Sequence, residues 1–267
     1  MGRIYRPSPM ESYRAMQAAG GSPTFGGGGV GNWESVIAED APQSWWRANE
    51  TGAATTLVDS GTYATNGIGL GTTPTWEVSS VAGQKGLNSS GGNIYWYLTG
   101  LVPWLYTNDF TFECLMIQPA APVASRYMAT QYNSGASYGG WLFGVAAGTG
   151  YPLIGGKSWG SGTYRGATGN VNVCDNSWHL LTARISGNVM SIFVDGVETT
   201  YGTKQDLSGG STYPQTSSAH YSMGAYRLTN GTTTGYWLSG LDEIQMYNTA
   251  LTDARILAHA QSLGLAA

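Results

Sequence analysis

Groups able to do bond chemistry are few in this sequence of 267 residues: sixteen carboxylates, three histidines and two cysteines. Paired carboxylates could flank a glycosidic bond, a histidine beside a serine or cysteine could drive acyl transfer, and cysteines with histidines could hold a metal. None of these arrangements is well formed. Asp242 and Glu243 are adjacent, and neighbours in a regular strand point to opposite faces. His179 has no Ser or Cys in a nucleophile setting nearby, so no acyl-transfer centre is expected. Cys114 and Cys174 are too few for a disulfide framework and lack a histidine at ligand spacing, so they read as buried free thiols.

Aromatic residues offer the other chemistry, because ten Trp and seventeen Tyr could stack on sugars, fill a core or line a subunit contact. Many stand in loop-like stretches: YWYLTGLVPWLY (95–106), SYGGWLFG (137–144) and KSWGSGTYRG (157–166). Candidate contacts for a glycan or a protein partner are therefore Trp96, Trp104, Tyr138, Trp141, Trp159, Tyr164 and Arg165. The stretch PQSWWRANETG (42–52) raises the same choice, with Trp45 and Trp46 facing opposite ways if it is a strand. Arg47 and Glu50 are expected to make a local ion pair or hydrogen bonds at its end.

Short strands between turns must position these groups. The 40 glycines and scarce Lys and Glu are the palette of strands and tight turns. FTFECLMI (110–117) alternates Phe110, Phe112, Cys114 and Met116 against Thr111 and Glu113, and its second face turns apolar at Leu115 and Ile117. HLLTARI (179–185) and MSIFVDG (190–196) read as a hairpin about Ser186-Gly187-Asn188, and 235–248 as two strand runs broken at Gly240. One helix closes the chain, with Thr252 as N-cap and Ile256, Leu257, Ala260 and Leu263 at helical spacing before Gly264.

Residues 1–31 contain Pro7, Pro9, Pro23 and a run of four glycines, with little to form a core. They read either as a disordered tail or as an anchoring arm ordered by a partner through Arg3, Tyr5, Arg6, Tyr13, Arg14 and Met16. The arm has no apolar stretch of a secretory signal, so synthesis and first folding are expected in a cytoplasm. A net charge of −4 without a basic run speaks against nucleic acid, and no run of about 18 apolar residues is present to span a bilayer.

The motifs resemble the laminin G-like jelly-roll domains of the concanavalin A-like lectin/glucanase superfamily. The resemblance covers roughly 33–264. It lies in Trp45-Trp46-Arg47, Glu50 and Asp59-Ser60-Gly61; in Trp178, His179 and Val194-Asp195-Gly196; and in Gly240, Asp242, Glu243, Tyr247, Asn248, Ala250 and Leu251. Leu115 stands where the family usually has Trp. Implied is an all-β fold of two antiparallel sheets, about six or seven strands each, packed face to face over residues 32–267. Trp46 matches the family's inward Trp.

Glucanases of that superfamily resemble one another in a Glu-x-Asp-x-(x)-Glu strand, a spacing absent here, so no catalysis is expected. Relatives often hold Ca²⁺, for which Glu50, Asp59, Asn66 and Asp242 are the candidate ligands, although turn chemistry accounts for Asp59 and Asn66 equally well. NWESVIAEDAPQSWWRANETG is similar to sequences in bacteriophage structural proteins. That similarity implies a homo-oligomeric virion component on the outer surface of a particle, on head or tail, held to other virion proteins by its arm and open to host-surface glycans. A carbohydrate-binding module of a secreted bacterial protein is the alternative reading, and a divergent glycoside hydrolase the third.

Overall fold

The computed structural model describes residues 30–48, 50, 55–70, 75–78, 85–88, 95–98, 109–132, 140–157, 164–204, 221–227 and 233–266. In chain order its elements begin with α1 (Val30–Glu39), β1 (Ser44–Trp46), β2 (Thr56–Leu57), β3 (Gly67–Leu70), β4 (Thr75–Val78), β5 (Lys85–Asn88) and β6 (Tyr95–Tyr97). There follow β7 (Phe110–Ile117), β8 (Arg126–Tyr132), β9 (Gly140–Val145), β10 (Pro152–Lys157), β11 (Tyr164–Gly169), β12 (Trp178–Ser186) and β13 (Val189–Val194). The last are β14 (Val197–Glu198), β15 (Tyr201–Lys204), β16 (Ser222–Met223), β17 (Tyr226–Arg227), β18 (Thr233–Thr234), β19 (Gly240–Tyr247) and α2 (Asp253–Ser262).

Alternation along β7 sets the layering. Phe110, Phe112, Cys114 and Met116 enter the main core, while Leu115 faces a second cluster on the far side. Strand β7 sits mid-sheet between β12 and β19 in an eight-stranded sheet A, ordered β14-β13-β12-β7-β19-β5-β4 with β1 beside β19. Sheet B has nine strands, ordered β15-β11-β10-β9-β8-β16-β6-β3-β2. Its inward residues, among them Trp96, Trp141, Phe143 and Ile154, meet those of sheet A. Both sheets exceed the expected strand number because short edge pieces such as β14 and β2, two residues each, extend them.

The outer face of sheet A is covered, which the sequence reading did not anticipate. Helix α1 lies where strands were expected to begin, and it runs across the boundary placed near residue 32. Its Trp33 and Ile37 pack with Trp45, Leu115, Leu180, Ala260 and Leu263. Both tryptophans of β1 are therefore buried, Trp46 between the sheets and Trp45 under the helices. Helix α2 follows its prediction: the Thr252 side chain accepts from the Arg255 backbone N–H, and Gly264 leaves the helix at φ 73°. The first of the two strand runs expected in 235–248 is absent; the Trp237 backbone N–H donates to Gly224 O instead.

Charged side chains clamp this cover to the sheet. His259 of α2 has Nδ1 2.6 Å from Glu113 Oε2 and Nε2 2.8 Å from Asp40 Oδ2. Glu113 Oε1 accepts from Thr182 Oγ1 at 2.9 Å, and Arg255 reaches Asp40 at 2.6 Å. Burial alone would push the His259 imidazole down; Glu113 and then Asp40 outweigh it and hold it above its usual range. The Val-Asp-Gly turn serves the same cover. Asp195 accepts from Leu180 N at 2.9 Å and meets His179 Nδ1 at 2.8 Å, and a Cβ at Gly196 would lie 2.9 Å from Ala260 Cβ.

Candidate functional site

Acid–base groups gather on the helix side of sheet A, where they are buried. Glu113, Glu243, Asp242 and His259 are each 0% exposed, so no substrate reaches them in this arrangement. Asp242 and Glu243 do not alternate as a regular strand requires, because the β19 register shifts between Asp242 and Gln245 and Glu243 adopts φ 46°. Glu243 Oε2 accepts from Trp45 Nε1 at 2.6 Å, and its carboxyl is held above the usual range by burial, which outweighs that hydrogen bond and the nearby Arg47. Arg47 pairs with Glu34 and approaches Glu243 rather than Glu50. His179 is fixed between Asp195 and Asp175, Nε2 lying 3.1 Å from the latter. Burial presses that imidazole down, but the two carboxylates push it up to about 10, which makes it a charged structural pin.

The outer face of sheet B is different: it is lined by tyrosines. In Tyr95-Trp96-Tyr97 of β6, alternation sends Trp96 into the core and turns both tyrosines to the other face, where Tyr97 is half-buried and Tyr95 is buried. Tyr97 stands opposite Ile68 of β3, which is 39% exposed. The ring of Tyr95 lies 6.0 Å from that of Tyr236, tilted by 54°. On β8, Tyr127 meets Tyr226 of β17 at 5.7 Å and the same tilt, 54°.

Local chemistry seats the β17–β18 ribbon there. Thr130 and Ser222 both donate to Ala225 O, at 3.2 and 3.0 Å. Tyr127 N donates to Gly235 O at 3.1 Å, and Gly235 at φ 60° leaves room for the phenol, since a Cβ there would lie 2.6 Å from Tyr127 Cδ2. Tyr97, Tyr127, Tyr226 and Tyr236 are half-buried. Half-buried phenols of this kind present apolar faces with a polar hydroxyl tip, the combination that stacks on a sugar ring.

The expected contact residues fare unevenly. Trp96 and Trp141 are corrections: at 1% and 2% exposure they are core, because each occupies the inward position of its strand. Trp141 packs on Phe110 and Tyr221 at 5.3 and 6.0 Å, opposite Gly156, whose missing side chain leaves space for the indole. Arg165 is half-buried on β11, and Tyr164 begins that strand with its side chain outside the described residues. Trp104, Tyr138 and Trp159 lie outside the described residues, as do Arg3, Tyr5, Arg6, Tyr13, Arg14 and Met16.

The donor set proposed for Ca²⁺ does not fit. Asp59 Oδ1 accepts from Trp45 N and Gly61 N, and Oδ2 from Thr65 N, each at 2.8 Å. Asn66 Oδ1 accepts from Asp59 N at 2.9 Å, Glu50 Oε1 from Val58 N at 2.7 Å, and Asp242 Oδ1 from Glu243 N at 2.9 Å. These oxygens organise turns and a bulge, which is turn chemistry rather than ion binding. Among the described residues no three of His, Cys, Asp and Glu are arranged to hold a metal ion. Nor is any described helix long and apolar enough to cross a membrane.

The tyrosine set was missed because three aromatics in a row give alternation but not its phase. A signal was present in β6: the larger indole takes the core position and the two tyrosines take the other face.

Solved structures share this architecture. Domain 4 of AbnA, a GH43 extracellular arabinanase from Geobacillus stearothermophilus, solved in complex with arabinotriose, aligns with a TM-score of 0.57 at 14% identity, over 82% of this chain and 98% of that one. The binding domain of Paraclostridial Mosquitocidal Protein 1 aligns with a TM-score of 0.59 at 12% identity, over 85% of this chain and 53% of that one. The botulinum neurotoxin serotype D binding domain gives 0.56 and 12%, over 85% and 52%. The chain thus spans about half of each toxin binding domain. No curated protein matches the sequence. A laminin G-type family model described as the concanavalin A-like lectin/glucanases superfamily matches residues 90–257. Two antiparallel sheets packed face to face and a match over more than half of its length place the chain in the concanavalin A-like lectin/glucanases superfamily.

Proposed function

We propose that this chain is a non-catalytic recognition domain that binds glycans through the tyrosine face of sheet B. The observation that carries this reading is the placement of Tyr97, Tyr127, Tyr226 and Tyr236 as half-buried rings on the face away from the helices, while the carboxylates able to do acid–base work are buried beneath them. A structural neighbour solved with arabinotriose is consistent with it. A glycan array tests it: the native chain is expected to retain at least one oligosaccharide class, and Tyr226→Ala to lose it with the fold intact. Retention that is unchanged in Tyr226→Ala and Tyr236→Ala would remove the tyrosine face from the reading.

We infer further that the domain is displayed on the outside of a bacteriophage particle, made in the host cytoplasm and held to other virion subunits by residues 1–31 in a symmetric oligomer. Support comes from the sequence similarity of 32–52 to phage structural proteins and from polarity in the fold. Helix α1, which begins at Val30 at the end of that arm, lies on the helix side of sheet A, opposite the tyrosine face. An arm anchored there would leave sheet B facing outward. Purified particles should contain the chain and lose it when 1–31 are deleted; incorporation that survives the deletion would refute the anchor.

A further inference from the structure

Helix α1 is joined to the sandwich through a bent hinge. The backbone bonds at its exit divide at Ala41. Asp40 N and Ala41 N donate back to Ile37 O and Ala38 O of the helix, at 3.2 and 3.1 Å. Just beyond, Pro42 O accepts from Thr62 N at 3.1 Å and Gln43 N donates to Met246 O at 2.8 Å, both in the body. Ala41 itself sits at φ 45°, a left-handed backbone that is costly for a residue with a Cβ. It also precedes Pro42, and the residue before a proline favours extended backbone. The hinge is thus bent against two preferences at once.

The groove that holds α1 would hold the same helix from any copy of the chain. Trp33 and Ile37 fill a cluster with Trp45, Leu115, Leu180, Ala260 and Leu263, and Glu34 pairs with Arg47. At the other end Arg255 donates to Val36 O at 3.0 Å, to Glu39 at 3.1 Å and to Asp40 at 2.8 Å, while His259 meets Asp40 at 2.8 Å. Glu39 ends α1 and Asp40 follows it, where the helix dipole disfavours negative charge, and the last turn has no basic residue of its own. Helix α1 therefore depends on Arg255 and His259 of α2, and once released from its own body it needs an equivalent groove.

We propose that two copies of the chain exchange α1, each helix seated in the groove of the other. Straightening at Ala41 carries α1 away from its own sheet A, and the contacts named above re-form across the pair. The exchange is reciprocal, so it closes at two copies. Strain in a short hinge favours it. This rests on the symmetric oligomer proposed above and names the element that joins its copies.

The purified full chain is tested by light scattering and by cross-linking. Glu39→Cys on α1 and Ala254→Cys on α2 replace exposed residues, and the native Cys114 and Cys174 are buried. Singly substituted chains are refolded together from urea and treated with a flexible bismaleimide. Linked pairs containing one chain of each kind are expected, and the doubly substituted chain should link between copies rather than within one. Ala41→Gly accepts φ 45° without strain and should raise the dimer dissociation constant about tenfold. A dimer whose linkage stays within each chain would overturn the exchange and spare the symmetric oligomer. A monomer at every concentration would overturn both, and an Ala41→Gly dimer as tight as the native one would overturn the strained hinge as its cause.

Discussion

The two outer faces of the sandwich are built from similar strands and treated in opposite ways. On sheet A, helices bury Glu113, Glu243, Asp242 and Gln245, and Arg47 just after β1, Arg184 of β12 and Arg255 of the helix layer are matched to carboxylates there. On sheet B the strands offer half-buried phenols and cations that have no carboxylates on their own strands. Charge under a cover must be paired to be tolerated, so the helix face is occupied by internal bonding. A face left open can keep polar and aromatic groups for an outside partner. The contrast separates fold from function within one domain.

The largest break in that contrast is Glu113→Ala. It would leave His259 buried without its nearest carboxylate and Thr182 without its acceptor. Removing one partner of a buried ion pair costs about 3–5 kcal/mol. Urea unfolding should show that loss, with the tyrosine face unchanged at temperatures where the chain stays folded. A loss under about 1 kcal/mol, the range of an exposed pair, would mean that the helix cover is not a sealed layer.

A second test uses pH. His179 is held near 10 when folded, against an ordinary 6.5, by Asp195 and Asp175 acting against burial. A folded value above the unfolded one means that the native state binds the proton more tightly. The stabilisation is therefore complete below about 6.5 and is lost as pH rises toward about 10. Unfolding free energy of the native chain should fall through that window, and that of His179→Gln should fall less steeply. Equal slopes would show that the carboxylates do not hold the proton. Tyrosine-face binding should not follow the same curve, since no histidine is described there.

Much of the helix-covered layer was legible in sequence. The Phe110 to Met116 alternation, the hairpin after Trp178 and the Thr252 cap are local signals, and each appears at its expected place. The turn of β7's second face to Leu115 and Ile117 hinted at a cover, yet α1 itself was not read. Four glycines precede it, its first turn has no acidic residue, and Trp33 and Ile37 are few anchors for a helical stripe. The β19 bulge was equally silent, because Glu243 at φ 46° has no glycine to mark it. The open face was harder still. Which of Tyr95, Trp96 and Tyr97 turns inward depends on strands far away in sequence, and the β17–β18 ribbon that brings Tyr226 to Tyr127 lies about a hundred residues beyond β8.

The smallest expected change in stability comes from Tyr97→Ala. Its ring is half-buried, stands opposite the exposed Ile68 and belongs to the outer side of β6, so truncation opens no closed cavity in the main core. The cost should stay near or below about 1 kcal/mol, the ordinary range for a substitution outside the core. Ligand binding should fall by more than that, because a stacking platform acts only through its exposed face. Measured side by side, unfolding and glycan retention then move separately for Tyr97→Ala but together for Glu113→Ala at any temperature where the latter unfolds. Should Tyr97→Ala unfold the domain as readily as Glu113→Ala, the phenol would be a core residue, and the division between a bonded face and an offered one would collapse.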